Sequence, residues 1–483
     1  MKRLILLMAI WAGCLTGIKA QSYPVTIKGI ANFAANEEIR LVTFEELATY
    51  KSVVAATDKI DAKGHFLLTY NIIRPTLVQL VIRTSRAEFY IEPGRTYDFT
   101  IDMDPELFNP LDPMSYGGFL QIRNNDTTLT EDINLKINRF ERFFESTIDY
   151  YSPNIISDLS PTEYDSIRDA VSRRFPLQYS PNNFYKSYIY YTMASLERVV
   201  LQKNTDSLYR KYFDNEYLLY FNPAYMNFFN EFYDHYLTTS PRINQKELLN
   251  CINQEGTYRP LFNLVGKDPY LVNERIRELV IIEDLAEIYE NKRFNKKNIE
   301  HILNEIATTT HFAEHQIIAK NTLASLRPYQ ESDAISFDGM KTASGASFNI
   351  EDYKGKWLYV QIFNTSCEDC IREMMIIKEL QQKYKDSITF ISLSIDFNFG
   401  HFIQFKEHFP QFDWTFVHFD HQYPWIDELQ ITTLPDNLLF GPDGKLVKRD
   451  APDITTQLPL YLARLFHQSE TEDNIPLNQN RKP

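Results

Sequence analysis

Cys367 and Cys370 stand two residues apart in Thr365-Ser366-Cys367-Glu368-Asp369-Cys370. A chain of 483 residues buries enough core to need no disulfide framework, so a lone close pair points to chemistry rather than to stapling. Ile371, Met374, Met375 and Leu380 follow at helical spacing, which sets the pair at the start of a helix. There, unpaired N–H groups and the positive end of the helix dipole favour a thiolate, and C-x-x-C sites reach thiol pKa values of roughly 3.5 to 7.5. Cys367 is then a nucleophile at neutral pH that can open a disulfide to a mixed disulfide, and Cys370, one helical turn away, can resolve it without a cofactor. Glu373 lies three residues beyond Cys370 on the same face and can take or return the proton of the resolving thiol.

The competing readings of the pair are a static disulfide and a zinc site. Zinc needs two more ligands, and His401, His408, His418 and His421 form no second C-x-x-C or H-x-x-x-H pattern with it.

The elements around the pair have a consistent order. Lys356-Trp357-Leu358-Tyr359-Val360-Gln361-Ile362-Phe363 is a nearly continuous apolar run of strand length, the pattern of a central strand buried on both faces. Ser387 to Ile395 is a second such run, so the cysteine helix becomes the crossover of a strand-helix-strand unit in a parallel sheet. Downstream, Thr432-Thr433-Leu434-Pro435 leads into Asn437-Leu438-Leu439-Phe440, the turn Gly441-Pro442-Asp443-Gly444 and Lys445-Leu446-Val447, a hairpin with a proline just before its first strand.

With these residues on the page, the stretch from about 330 to 470 resembles a thioredoxin-fold domain of the TlpA/ResA type. The carriers are Tyr353-Lys354-Gly355-Lys356, the Cys367–Cys370 pair, Arg372-Glu373-Met374, Thr433-Leu434-Pro435 and Pro442-Asp443-Gly444. The resemblance implies a thiol-disulfide oxidoreductase with Cys367, Cys370, Glu373 and Pro435 as its catalytic set, Pro435 being cis and lying against the pair. It implies no cofactor and no metal, protein disulfides as substrates and a membrane thiol as electron donor. Three positions depart from the pattern: Ser366 replaces an aromatic residue, Gln361 stands where thioredoxins keep a buried acid, and Asp436 follows the proline where Thr is frequent. Glu373 is left to carry the proton. The peroxiredoxin signature is absent, since positions 360 and 364 are Val and Asn.

Glu368 and Asp369 put negative charge beside the thiolate, which disfavours the anion and weakens the reduced form relative to the disulfide. The pair is therefore expected to be a reductant, with a potential nearer the roughly −270 mV of thioredoxin than the roughly −120 mV of a strong oxidant such as DsbA.

Upstream the texture changes twice. From 24 to about 105, apolar and polar residues alternate with period two, as in Phe66-Leu68-Tyr70 and Tyr97-Phe99-Ile101, which predicts an antiparallel β-sandwich over 21–105. Its layout resembles the small N-terminal β domain of many Bacteroidetes exported proteins. Over 106–328 the period becomes helical: Asn222-Pro223 opens a segment with Tyr225, Phe228, Phe232 and Tyr236 on one face, and Asp268-Pro269 opens another with Val272, Ile276, Leu279 and Ala286 aligned. The dense aromatics of this stretch suit inter-helix packing or a groove for a peptide or glycan. His311-Phe312-Ala313-Glu314-His315 matches an H-x-x-E-H zinc pattern, but without a third ligand motif a solvated helix face is the expectation. Cys251 reads as a small buried hydrophobe. A thioredoxin-like domain over 329–470 and a polar, disordered tail over 471–483 complete this multidomain chain.

Residues 1–20, with Lys2-Arg3, an apolar run from Leu4 to Leu15 and Ala20 before Gln21, read as a secretory signal peptide, and the run is shorter than the about 20 residues a spanning helix needs. A periplasmic protein is expected. Lipid attachment at Cys14 is the alternative, with Trp11 where that motif has Leu. A net charge of −14 leaves nucleic acid without an electrostatic hold, and GxGxxG and P-loop motifs are absent from a chain with only 15 Gly. The rival function is a non-catalytic binding or scaffold protein with a vestigial thioredoxin-like domain; an isomerase is a third.

Overall fold

A computed structural model describes residues 22–103, 120–126, 131–152, 159–201, 205–213, 217–326 and 335–472, apart from positions 84, 397, 430, 432, 450, 453, 455 and 456. The expected signal peptide and Cys14 lie outside the described residues.

The alternating stretch forms eight strands: β1 (Tyr23–Ile30), β2 (Glu38–Phe44), β3 (Ser52–Lys59), β4 (His65–Ile72), β5 (Thr76–Ile82), β6 (Ser85–Ile91), β7 (Thr96–Met103) and β8 (Leu120–Asn124). They make two four-stranded sheets, ordered β4-β1-β7-β8 and β3-β2-β5-β6. Period-two patterning appears directly in β4, where Phe66, Leu68 and Ile72 are buried while His65 and Leu67 face water. Val25, Ile27, Leu41, Leu80, Phe89 and Tyr97 share one apolar core between the sheets.

Two features go beyond the sequence reading. The six strand pairs of the sandwich are not all alike: β1 runs parallel to β7, with Ile27 opposite Tyr97, although the other pairings are antiparallel. Gly29 allows this close approach, since a Cβ there would lie 2.1 Å from the carbonyl oxygen of Phe99. The sheet also continues past residue 105, taking β8 through Ile101 opposite Ile122. A five-residue strand is too short to leave a clear alternation.

The middle is helical: α1 (Ile133–Tyr151), α2 (Pro161–Ser172), α3 (Phe184–Val200), α4 (Thr205–Tyr212), α5 (Pro223–Tyr233), α6 (Tyr236–Thr239), α7 (Gln245–Asn250), α8 (Tyr258–Val265), α9 (Glu274–Glu287), α10 (Lys296–Thr309) and α11 (Ala313–Leu326). Asn222 caps α5 as expected, its side chain accepting from the Tyr225 amide, with Pro223 at the first turn. Tyr225 and Phe228 are buried, but His235, at φ 49°, breaks the helix and gives Tyr236 to α6. Asp268-Pro269 opens only a short 3-10 turn; α9 begins at Glu274 under an Asn273 cap, leaving Val272 exposed. The sandwich is tied to these helices. Leu47, from the loop after β2, lies in the helical core, and the Asn321 amide donates to Glu45 at 2.9 Å and Glu46 at 3.0 Å.

The C-terminal region contains β9 (Lys341–Thr342), β10 (Trp357–Phe363), α12 (Glu368–Tyr384), β11 (Ile388–Ser394), α13 (Phe399–His408), β12 (Thr415–His418), α14 (Tyr423–Glu428), β13 (Asp436–Phe440), β14 (Leu446–Lys448) and α15 (Leu458–Glu472). The sheet order is β14-β13-β10-β11-β12-β9, parallel across β10, β11 and β12 and antiparallel at both edges. One apolar cluster holds Leu358, Val360 and Ile362 with Trp425; the other holds Tyr359 and Phe363 with Met374, Phe402 and Leu458. Alternate residues of β10 thus enter different cores, which is why its sequence is apolar throughout. The expected tail over 471–483 lies outside the described residues, save its first two positions, which close α15.

Candidate active site

Cys367 occupies the N-cap of α12, as its position before an apolar helical repeat requires, and its Sγ accepts the Cys370 backbone N–H at 3.1 Å. The two sulfurs are joined as a disulfide, with Cα atoms 5.2 Å apart. Their surroundings differ: Cys367 is half-buried at the helix tip, whereas Cys370 is 0% exposed among Phe363, Met374 and Leu439. One sulfur can meet another molecule and the other cannot. Glu368 is exposed beside the pair, but Asp369 is ion-paired with Arg372. The sequence reading placed two uncompensated charges there; one of them has a cationic partner a turn along the helix, and Glu368 carries the remainder.

Beneath Cys370 runs a buried polar chain. Gln361, 0% exposed on β10, donates to the Cys370 carbonyl at 3.2 Å and to the Glu373 carboxylate at 3.0 Å. Its own oxygen accepts from Ser392 at 3.2 Å, and Ser392 accepts from the Trp414 indole at 2.9 Å. Asn437 on β13 donates to the same Glu373 oxygen at 3.4 Å. Glu373 is thus buried and held by amides from two strands. Gln361 does not titrate, so it orients the carboxylate rather than competing with it.

Asp396, which the sequence reading missed, anchors the loop before Cys367. Its carboxylate accepts the Thr365 N–H at 3.1 Å, the Thr365 hydroxyl at 2.7 Å and the Ser394 hydroxyl at 2.5 Å. Burial pushes its pKa up against the lowering effect of those bonds. Its carbonyl accepts from His418 Nε2 at 2.7 Å, while His418 Nδ1 accepts from the Asp420 N–H at 3.0 Å. Both ring nitrogens are engaged in a neutral imidazole, and burial takes its pKa down to about 4. A polar residue at the carboxyl end of the second core strand was the available signal, because sites in parallel sheets gather at that edge.

The Leu434–Pro435 bond is cis. Asp436 pairs with Ile362 across β13 and β10, which brings Pro435 level with Phe363, where β10 leaves for the cysteine loop. Leu434 and Cys367 border the same apolar cluster. Asp436 forms a two-pronged ion pair with Arg449 at 2.6 and 2.8 Å, and Arg449 also donates to the Leu429 carbonyl at 2.7 Å.

The upstream zinc pattern dissolves in the fold. His311 is exposed, but His315 is 0% exposed, its Nδ1 2.7 Å from Glu278 and its Nε2 2.7 Å from the Tyr220 hydroxyl. It is neither a ligand nor part of a solvated face, because α11 turns it inward against α9. Cys251 is free and buried, as expected. Among the described residues, no helix is long and apolar enough to cross a membrane.

A disulfide capping a helix, beside a central parallel sheet and a cis-proline loop, defines a thioredoxin-like domain, and a thioredoxin-like family model matches residues 355–446. Thiol-disulfide oxidoreductase ResA of Bacillus cereus is 31% identical over 124 residues, covering 25% of this chain and 70% of the relative. The chain belongs to the ResA family of thiol-disulfide oxidoreductases, through its C-terminal region. Among solved structures, the thioredoxin domain of a Bacteroides vulgatus thiol-disulfide oxidoreductase is similar at 19% identity, over 30% of this chain and 99% of that one, with a TM-score of 0.24. A thiol-disulfide oxidoreductase of Bacteroides fragilis matches at 19% identity over 28% of this chain and 99% of its own, with a TM-score of 0.24.

Proposed function

We propose that the protein is an exported disulfide reductase working by thiol exchange through Cys367 and Cys370. The observation that carries the reading is the asymmetry of the pair: an accessible sulfur capping a helix, backed by a sealed one.

In the reduced form, the Cys367 thiolate attacks one sulfur of a protein disulfide. That S–S bond breaks, a mixed disulfide forms, and the departing substrate sulfur takes up a proton. Glu373 removes the proton of Cys370, whose thiolate then attacks Cys367, closing the intrachain disulfide and releasing the second substrate sulfur. The substrate gains two electrons and two protons. A membrane-bound thiol protein returns the pair to the dithiol, and Pro435 holds the substrate chain against Cys367. No metal or organic cofactor enters the cycle. Export by residues 1–20 places this chemistry in the periplasm.

Reduction of a disulfide-bonded test protein by wild type and by Cys367→Ser separates this reading from a scaffold with an inert redox domain. Loss of turnover in Cys367→Ser, with a mixed disulfide trapped by Cys370→Ser, supports reduction; equal rates in wild type and Cys367→Ser exclude it.

A further inference from the structure

The sandwich and the helical domain line a solvent-open cavity of about 590 Å³. Glu88 and Tyr90 of β6 and Tyr50 of the loop after β2 meet Asp132 at the cap of α1, Glu141 on α1 and Tyr188 on α3. The wall is built in: Asn134 binds the Tyr90 backbone like an added strand, accepting at 2.6 Å and donating at 2.8 Å. The Tyr90 and Tyr188 rings stand 78° apart with centroids at 6.5 Å, two π faces at a corner. Tyr188 donates its hydroxyl to Glu141, and burial followed by the charges of Glu141 and Glu88 pushes the Tyr90 hydroxyl well up.

Three carboxylates therefore share this space with aromatic faces, and no Lys or Arg is among the described residues lining it. Asp132 adds an independent sign. It is 2% exposed, its Oδ1 caps α1 through the Asn134 and Leu135 amides, and its Oδ2 has no hydrogen-bond partner among the described residues. A buried carboxylate oxygen normally finds a donor. Ring faces attract cations and the carboxylates supply opposite charge.

We propose that this cavity is a binding site for an organic cation, an ammonium or guanidinium group presented by a polypeptide side chain or by a free amine. The site is separate from the cysteine pair and independent of the reductase reading.

Calorimetric titration of the full chain at low salt tests this with Nα-acetylarginine methylamide, agmatine, the neutral isostere Nα-acetylcitrulline methylamide, and chitobiose. The arginine probe or agmatine is expected to bind at least about tenfold more tightly than the citrulline probe, and Glu88→Gln/Glu141→Gln to weaken it about tenfold with disulfide reduction unchanged. Tighter binding of the blocked arginine assigns the site to polypeptides, and tighter binding of agmatine assigns it to free amines. Equal binding of the arginine and citrulline probes, preference for chitobiose, absence of binding by every probe, or unchanged affinity in the folded double variant overturns the proposal. Where circular dichroism shows the double variant unfolded, the arginine–citrulline comparison on wild type decides.

Discussion

Gln361 Nε2 lies 3.0 Å from a carboxylate oxygen of Glu373 and 3.2 Å from the carbonyl oxygen of Cys370, so a single amide ties the acid to the backbone of the buried cysteine. An amide in place of an acid at this strand position leaves one carboxylate under the pair rather than two, and spares the site the repulsion that two buried acids would bring.

Gln361→Leu should lower stability by about 1–3 kcal/mol, because it strips a donor from a buried carboxylate and an acceptor from Ser392. It should also slow the second exchange step more than the first, since the first needs only Cys367. Urea unfolding gives the stability, and mixed-disulfide decay against pH gives the second step; a variant slowed equally in both steps would show that Gln361 does not act through Glu373.

His418 should make the protein acid-sensitive. Its pKa falls from 6.5 to about 4 on burial, so between these values the unfolded chain holds a proton that the folded chain lacks. Stability that is full above the upper value is lost as pH falls through the window, by at most about 1.4 kcal/mol per pH unit. Asp396, raised by burial, contributes with the opposite sign, its protonated form favouring the fold at low pH. Replacing His418 alone therefore isolates its share. Denaturant unfolding of wild type and His418→Gln from about pH 7 to 4.5 should show a shallower acid loss in the variant. Parallel curves would remove His418 as the cause.

Arg449→Lys should cost about 1–3 kcal/mol despite keeping the charge, because an ammonium cannot make the paired contacts to Asp436 while also reaching the Leu429 carbonyl. The loss falls on the strand that follows Pro435, so turnover of a protein disulfide should drop more than that of a small disulfide reagent. Thermal unfolding and the ratio of the two rates measure it; an unchanged ratio would confine Arg449 to a structural role.

Much of this protein was written locally. Cys367 before an apolar helical repeat, the unbroken runs of β10 and β11, and Leu434-Pro435 ahead of a hairpin each carry their own pattern, since helix caps, buried strands and turns impose residue types on neighbours in the chain. The sandwich strands were readable for the same reason. Other features arose only when distant segments met. Asp396, His418 and Thr365 come from separate segments and join because the parallel crossover brings the carboxyl ends of β10, β11 and β12 to one edge. The parallel pairing of β1 with β7, the addition of β8 and the inward turn of His315 likewise have no periodic trace. A side chain's partner across a fold is chosen by topology and close packing, and those forces act between residues whose separation in the chain carries no record of the contact.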